Sequence, residues 1–326
     1  MITNGVGQGK ILAGFAYCFY CLDLFSILEK SGLGCRINGT YAGAFGYSDD
    51  DFFLAPTASA LQEMIKIAET FCNSHGLKFS ADPNPVKSKT KCISWLKKQR
   101  ELPQMKLCGN SLPWVDRVLH LGNTITNQKD CMKTDMSIKT AKYVSKNIEI
   151  NQEFSFTASK TRLEVNSIYN LSWYGSTLWN LFGSDAIKIE SSYNRSIKYT
   201  MGLPYATHRY LIEPVSERRH LKWLLISRFL AFMQKIDKSK KPILKMLKET
   251  TERDVMSRTG SNMRNIMLIL NKTDIEEVTK SDVDRMQYFP ISIDDEWKVE
   301  LIDIILEEQE GRGEDSSDWL ELLCTD

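Results

Sequence analysis

Long apolar runs, signal-peptide features and catalytic histidine clusters are all missing from this chain. Ile11 to Leu22 comes closest to a membrane anchor, but it is uncharged for only twelve residues before Asp23 interrupts it. Twelve helical residues reach about 18 Å, short of the roughly 30 Å of a bilayer core, so the stretch reads as a buried helix. No small-residue cleavage site follows it, which argues against a secretory signal. Histidine is scarce. His75, His120, His208 and His220 stand near no Ser or Cys arrangement that suggests a hydrolase, and each reads as a surface or packing residue. The eight cysteines are scattered, and in a chain without a secretory signal they read as reduced thiols of the cytoplasm or nucleus. Cys18 and Cys21 have the spacing of a zinc pair, yet no second pair or His lies at ligand distance in the sequence, and the pair falls on an apolar helical face. No internal repeat is visible.

What is present supports a folded protein. A length of 326 residues suggests about two domains, and 42% hydrophobic residues with 10% aromatics suffice for a sizeable core. The net charge of +1 conceals an asymmetry. Residues 281–326 hold 15 Asp or Glu against 3 Lys or Arg, leaving 39 basic and 26 acidic residues, a net of +13, in the rest. A basic body suits a polyanionic partner, and an ordinary solvated surface with a separable acidic tail is the other reading of the same numbers.

The most informative segment is Gly46-Tyr-Ser-Asp-Asp-Asp-Phe-Phe-Leu-Ala-Pro-Thr57. It puts Asp49 and Asp50 at a tight turn between the β-rich stretch Thr40 to Tyr47 and the apolar stretch Phe52 to Ala55. Nucleotidyl transfer holds two Mg²⁺ about 4 Å apart, and hard oxygen ligands on a rigid hairpin meet that need. Alone, such a tetrapeptide is more often a solvated turn. Its neighbours add context: Asn4-Gly-Val-Gly-Gln-Gly9 runs into a long apolar helix, and an amphipathic helix, Gly76-Leu-Lys-Phe79 and Lys87-Ser-Lys89 follow the acidic turn.

In this order and spacing the chain resembles the reverse transcriptases of LINE-type non-LTR retrotransposons. Asn4 to Gly9 is similar to the family's Gly-Val-Arg-Gln-Gly block, Gly46 to Thr57 to its Tyr-Ala-Asp-Asp block, and Gly76 to Lys89 to its Gly-Leu-Lys-Phe-Asn and Lys-Ser-Lys block. Leu121-Gly-Asn-Thr-Ile125 is similar to a Leu-Gly-x-x-Ile hairpin. Tyr169 to Leu181 and Gly202-Leu-Pro-Tyr-Ala-Thr-His208 look like parts of the helical region that follows the palm. The likeness covers roughly residues 4 to 235. Departures occur at Gly7, where the family has Arg, at Ala13-Gly14, where it has Ser-Pro, at Ser48, where it has Ala, and at Asp51, where it has an apolar residue.

The resemblance implies RNA-directed DNA synthesis by descent. Asp49 and Asp50 would be the metal ligands for two Mg²⁺ or Mn²⁺ ions, and Lys87 would face the leaving pyrophosphate unless it belongs to a solvated basic loop. Gly5, Gln8, Gly9, Tyr47 and Lys89 would contact nucleotide or nucleic acid, and Leu121-Gly122 would grip the primer end. The partners implied are an RNA template, a DNA primer and dNTP, with no membrane. In a complete enzyme, fingers and a palm strand carrying another catalytic Asp precede the Gly-rich block. Only three residues precede Asn4 here, so the expectation is a truncated chain, inactive by itself. A non-catalytic nucleic-acid-binding protein and an unstable relic are the alternatives.

Periodicity gives the expected architecture: an α+β fold in which a partial right-hand palm, an antiparallel sheet with helices on one face, occupies residues 1–130. An α-helical thumb-like region over 131–240 follows, then a linker and acidic segment over 241–326. Helices are expected to about Lys30, with a stripe of Ile11, Leu12, Phe15, Phe19, Leu22, Phe25 and Leu28, from Ala58 to His75 with Thr57 as cap, and over 137–150, 161–182, 195–201 and 218–235. Strands are expected at Gly34 to Ile37, Thr40 to Tyr47, Phe52 to Ala55, Leu77 to Phe79 and Ile93 to Trp95. Lys238 to Lys248 reads as a linker or solvated helix. Trp and Tyr at helical spacing read as core more readily than as base-stacking residues.

Overall fold

A computed structural model describes residues 13–82, 84, 86–96, 101–170, 173–273, 275–279, 281 and 282. The fold is α+β, with nine α-helices and eight short strands among the described residues. The described residues fall into two compact units, one drawn from 1–118, 126–129 and 240–247, the other from 119–125, 130–239 and 248–326.

In the first unit, α1 (Ala13–Lys30) and α2 (Ala58–Ser74) pack together, and α1 also packs on a hairpin of β3 (Ala44–Tyr47) and β4 (Asp50–Phe53). Thr57 caps α2 as expected, its hydroxyl accepting from the Ala60 amide at 3.1 Å. The buried face of α2 is Met64, Ile65, Ala68, Phe71 and Cys72. On α1 the expected stripe is wrong in part. Cys21, Leu24 and Leu28 are buried, whereas Phe15, Phe19 and Leu22 are exposed. An almost uniformly apolar helix offers more than one candidate stripe, and the face that meets α2 and β3 is the one that closes the core. That core gathers Leu24, Leu28, Met64, Ala68, Phe71 and Cys72, with Ala44 and Phe53 against it. At the end of α2 the His75 ring stacks on Phe71 with centroids 4.0 Å apart, while the Tyr20 hydroxyl donates to the His75 carbonyl at 2.9 Å.

Among the described residues the strands form separate two-stranded pairs, not one continuous sheet. The expected strand from Thr40 to Tyr47 divides into β2 (Thr40–Tyr41), paired with β1 (Arg36–Ile37), and β3, paired with β4. The break falls at Ala42-Gly43, where a Cβ on Gly43 would meet the Tyr41 ring at 2.6 Å. Backbone bonds from the Ala42 amide to Cys35, from Leu54 to Gly43 and from Cys35 to Leu54 still tie the two pairs together. Leu77 to Phe79 and Ile93 to Trp95 join no ladder; the backbone of Cys92 instead makes an isolated bridge with Trp114. A hairpin of β5 (Met105–Leu107) and β6 (Asn110–Leu112), absent from the sequence-based expectation, buries Met105, Leu107 and Leu112 with Ile65 and Cys92.

In the second unit α5 (Ser184–Met201) packs against α3 (Cys131–Glu153), α4 (Ser159–Tyr169), α6 (Arg209–Ser216) and α7 (Leu221–Asp237). The expected helix over 161–182 stops at Tyr169 because tertiary partners capture the following backbone. The Lys139 ammonium takes the Tyr174 carbonyl at 2.6 Å, Gly175 adopts φ +74°, and the fully buried Asn262 bridges the Trp179 carbonyl and the Leu181 amide. Buried Asp135 accepts from the Thr124 amide and the Trp179 indole, each at 2.9 Å, and pairs with Lys139 at 2.9 Å. Lys139 fills its third donor with Asn123 at 2.8 Å, so both buried charges are satisfied. The Lys-rich stretch enters α8 (Pro242–Arg253), with Pro242 at the first helical position. A further helix, α9 (Arg258–Leu270), is capped by Ser257.

Candidate metal-binding hairpin

Tyr47 pairs with Asp50 across β3 and β4, leaving Ser48 and Asp49 as a two-residue turn in which Ser48 takes φ +56°. Opposite partners in an antiparallel pair share a face. The register therefore sets Ala44, Gly46, Asp51 and Phe53 on one side and Phe45, Tyr47, Asp50 and Phe52 on the other. Ala44 and Phe53 enter the core beneath α1 and α2. The opposite face is open, with Phe45 and Tyr47 exposed and the Phe45 and Phe52 rings 6.5 Å apart. Asp49 and Asp50 are both exposed at its tip.

Asp51 belongs to the other face. A Cβ on Gly46 would meet both the Phe25 ring and the Asp51 carboxylate, which locates that carboxylate against α1. Burial, then the charges of Asp50 and Asp49, raise its pKa to about 6. Desolvation chiefly, with the neighbouring Asp51 charge adding to it, also pushes up the Tyr17 phenol and the thiols of Cys21 and Cys72, the last to about 11. Three consecutive acidic residues thus divide into two exposed donors and one that faces the helices. Among the described residues no group of three or more His, Cys, Asp or Glu side chains is placed to hold a metal ion. Asp49 and Asp50 are hard oxygen donors of the kind Mg²⁺ and Mn²⁺ take.

Lys87 and Lys89 lie on a separate turn. Its backbone is fixed by Asn84, whose carbonyl accepts from the Lys87 amide at 3.0 Å and whose side chain accepts from Val86 at 3.0 Å. Between them Ser88 is buried and donates to the Thr90 carbonyl at 2.9 Å, so both lysines project into solvent. Among the described residues neither lysine makes a hydrogen bond or ion pair with Asp49 or Asp50. Leu121 and Gly122, in the second unit, form the turn between β7 (Arg117–His120) and β8 (Asn123–Thr126), with φ +46° and +74°. Two consecutive positive φ values fit a type I′ turn. Gly5, Gln8 and Gly9 lie outside the described residues.

Sequence reasoning missed the Asp135–Lys139 pair, which holds Asn123 and Thr124 directly after that turn. Its only sequence signal is an acid and a base four residues apart on a helix, a spacing shared with surface pairs. No helix among the described residues is long and apolar enough to cross a membrane. Compared with known families and curated proteins, the chain matches no family model and no curated protein.

Proposed function

We propose that this chain derives from a retrotransposon reverse transcriptase and that the hairpin of β3 and β4 is its metal-binding element. The observation that carries the reading is the exposure of Asp49 and Asp50 at the tip of a hairpin whose opposite face is seated on α1 and α2. In RNA-directed DNA synthesis the primer 3′-hydroxyl attacks the α-phosphate of an incoming dNTP and releases pyrophosphate. Divalent ions supply charge neutralisation and activation of the hydroxyl. Asp49 and Asp50 would hold such ions, Lys87 would protonate or neutralise the departing pyrophosphate, and Leu121-Gly122 would seat the primer end. Tyr47 and Lys89 would contact nucleotide or nucleic acid, together with Gly5, Gln8 and Gly9.

Among the described residues Asp49 and Asp50 supply two adjacent carboxylates and no third ligand joins them, and extension requires a complete ligand set. A positioned reactant pair contributes about 7 to 11 kcal/mol in favourable cases, and an incomplete site forgoes much of it. Joining fingers and the first palm strand of a complete LINE-type enzyme ahead of Asn4, with Gly7→Arg and Asp51→Ile, tests the reading. Slow extension of a DNA primer on an RNA template is expected from the chimera, lost on Asp49→Asn or Asp50→Asn and reduced more mildly by Lys87→Ala. A chimera that folds and binds template and primer yet stays inactive, or one that is active and indifferent to both aspartates, overturns it. The basic excess of the chain outside residues 281–326 favours a second reading, a non-catalytic nucleic-acid binder, which the inactive chimera would support.

A further inference from the structure

The helix α5 ends at Gly202, which takes φ +70°, and the chain then turns back so that the Leu203 amide bonds the Lys198 carbonyl at 2.9 Å. Pro204 to Thr207 make a second tight turn. Both the amide and the hydroxyl of buried Thr207 donate to the Pro204 carbonyl, at 3.1 and 2.8 Å. Tyr205 stands on this turn with 75% of its surface in solvent. Its position is fixed by two cations from α5. The Arg195 guanidinium lies 5.1 Å from the ring centroid and donates to the phenol oxygen at 3.0 Å; the Lys198 ammonium lies 5.7 Å from the centroid and donates to the Tyr205 carbonyl at 2.8 Å. Residues three apart on a helix share a face, so both cations approach the ring from the helix side and leave the other side open. Among the described residues no carboxylate pairs with Arg195. Tyr199, also exposed, follows one turn along α5.

We infer that Tyr205, with Arg195 and Lys198, is a binding site for single-stranded nucleic acid, in which an unpaired base stacks on the open face of the ring and flanking phosphates meet the two cations. The chemistry selects this ligand. A rigid aromatic face takes any base, whereas bases in a duplex are already stacked, and a cation behind the ring adds both ring polarisation and phosphate attraction. The turn bonds and the Lys198 contact hold the ring in place before a ligand arrives, which removes part of the ordering cost of binding. The inference goes beyond the polymerase reading and does not require the metal hairpin, since it uses only α5 and the turn after it.

The test is fluorescence anisotropy with the full chain, using a labelled oligothymidylate and a blunt duplex of equal length. Tyr205→Ala should weaken the single strand about tenfold and the duplex by less than about twofold, and Tyr205→Phe should keep single-strand affinity within about threefold because the π face remains. Arg195→Gln should lower the slope of log affinity against log salt by about 0.7 on the single strand. Circular dichroism and melting of each variant establish that the fold is retained. Unchanged single-strand affinity in Tyr205→Ala, equal losses on both probes, or a loss in Tyr205→Phe as large as in Tyr205→Ala would overturn the inference. Failure of primer extension would not bear on it.

Discussion

Asp51 turns its carboxylate toward Phe25 and α1 while Asp49 and Asp50 remain in solvent, so three identical side chains in a row meet two environments. The cause is the two-residue period of a strand, which sends neighbours to opposite faces. Its raised pKa has a defined thermodynamic sign. Below the unfolded value of 3.8 the group is protonated in both states and costs nothing; between 3.8 and about 6 the folded state keeps the proton and stability falls as pH rises; above about 6 the full penalty applies. After allowance for partial exposure the penalty at neutral pH is about 1–2 kcal/mol. Asp51→Asn should therefore stabilise the chain by about that amount at pH 7.5 and by little at pH 4, read from urea midpoints at the two values. Equal midpoints for the two proteins at pH 7.5 would show that the carboxylate is well solvated after all. The sequence signals Asp51 as a misfit because it stands among strand-forming apolar residues, but its partners, Gly46 across the strand and Phe25 on α1, depend on register and tertiary packing.

At the scale of elements, legibility followed the strength of the local signal. The helix α2 was readable because its stripe is amphipathic and Thr57 supplies a cap, and both are local properties. The helix α1 was readable as a helix, yet its buried face was misassigned, since an apolar helix carries no local mark of which side is covered. This yields a sharp contrast. Leu24→Ala should cost about 2–5 kcal/mol, as befits a fully buried core leucine, while Phe19→Ser, at a residue 72% exposed, should change stability by less than about 0.5 kcal/mol. Denaturant titration of the two variants checks it, and comparable losses would mean that Phe19 is covered. The stretch 173–182 was misread for a different reason: Lys139 and Asn262 hold its backbone from outside and Gly175 within it is left-handed, and side-chain periodicity contains none of that information. The short β5 and β6 pair was missed because three residues per strand display too little alternation.

Across the whole molecule, charge is the property the sequence displays most openly. With a net of +13 outside residues 281–326, binding to RNA or DNA should be weak, largely indifferent to sequence and steeply salt-dependent. Deleting residues 281–326 should tighten it, because the deletion removes 15 acidic against 3 basic residues and so raises the net charge of what remains to +13. Filter binding across a salt series checks both, and binding that persists at about 0.3 M salt would show that phosphate contacts are not its main source. The candidate site was legible as a motif and as a hairpin; the division of its aspartates between two faces, and the placement of Lys87 on a turn of its own, required the fold. The claim on which the functional reading rests is that Asp49 and Asp50, and not Asp51, hold divalent metal. Amide line broadening by Mn²⁺, followed by NMR on the full chain, tests it most directly. Broadening at Tyr47 to Asp50 should appear as Mn²⁺ is added, vanish in the Asp49→Asn, Asp50→Asn double variant and survive Asp51→Asn. Broadening there that persists in the double variant, or that disappears with Asp51→Asn alone, would contradict the account.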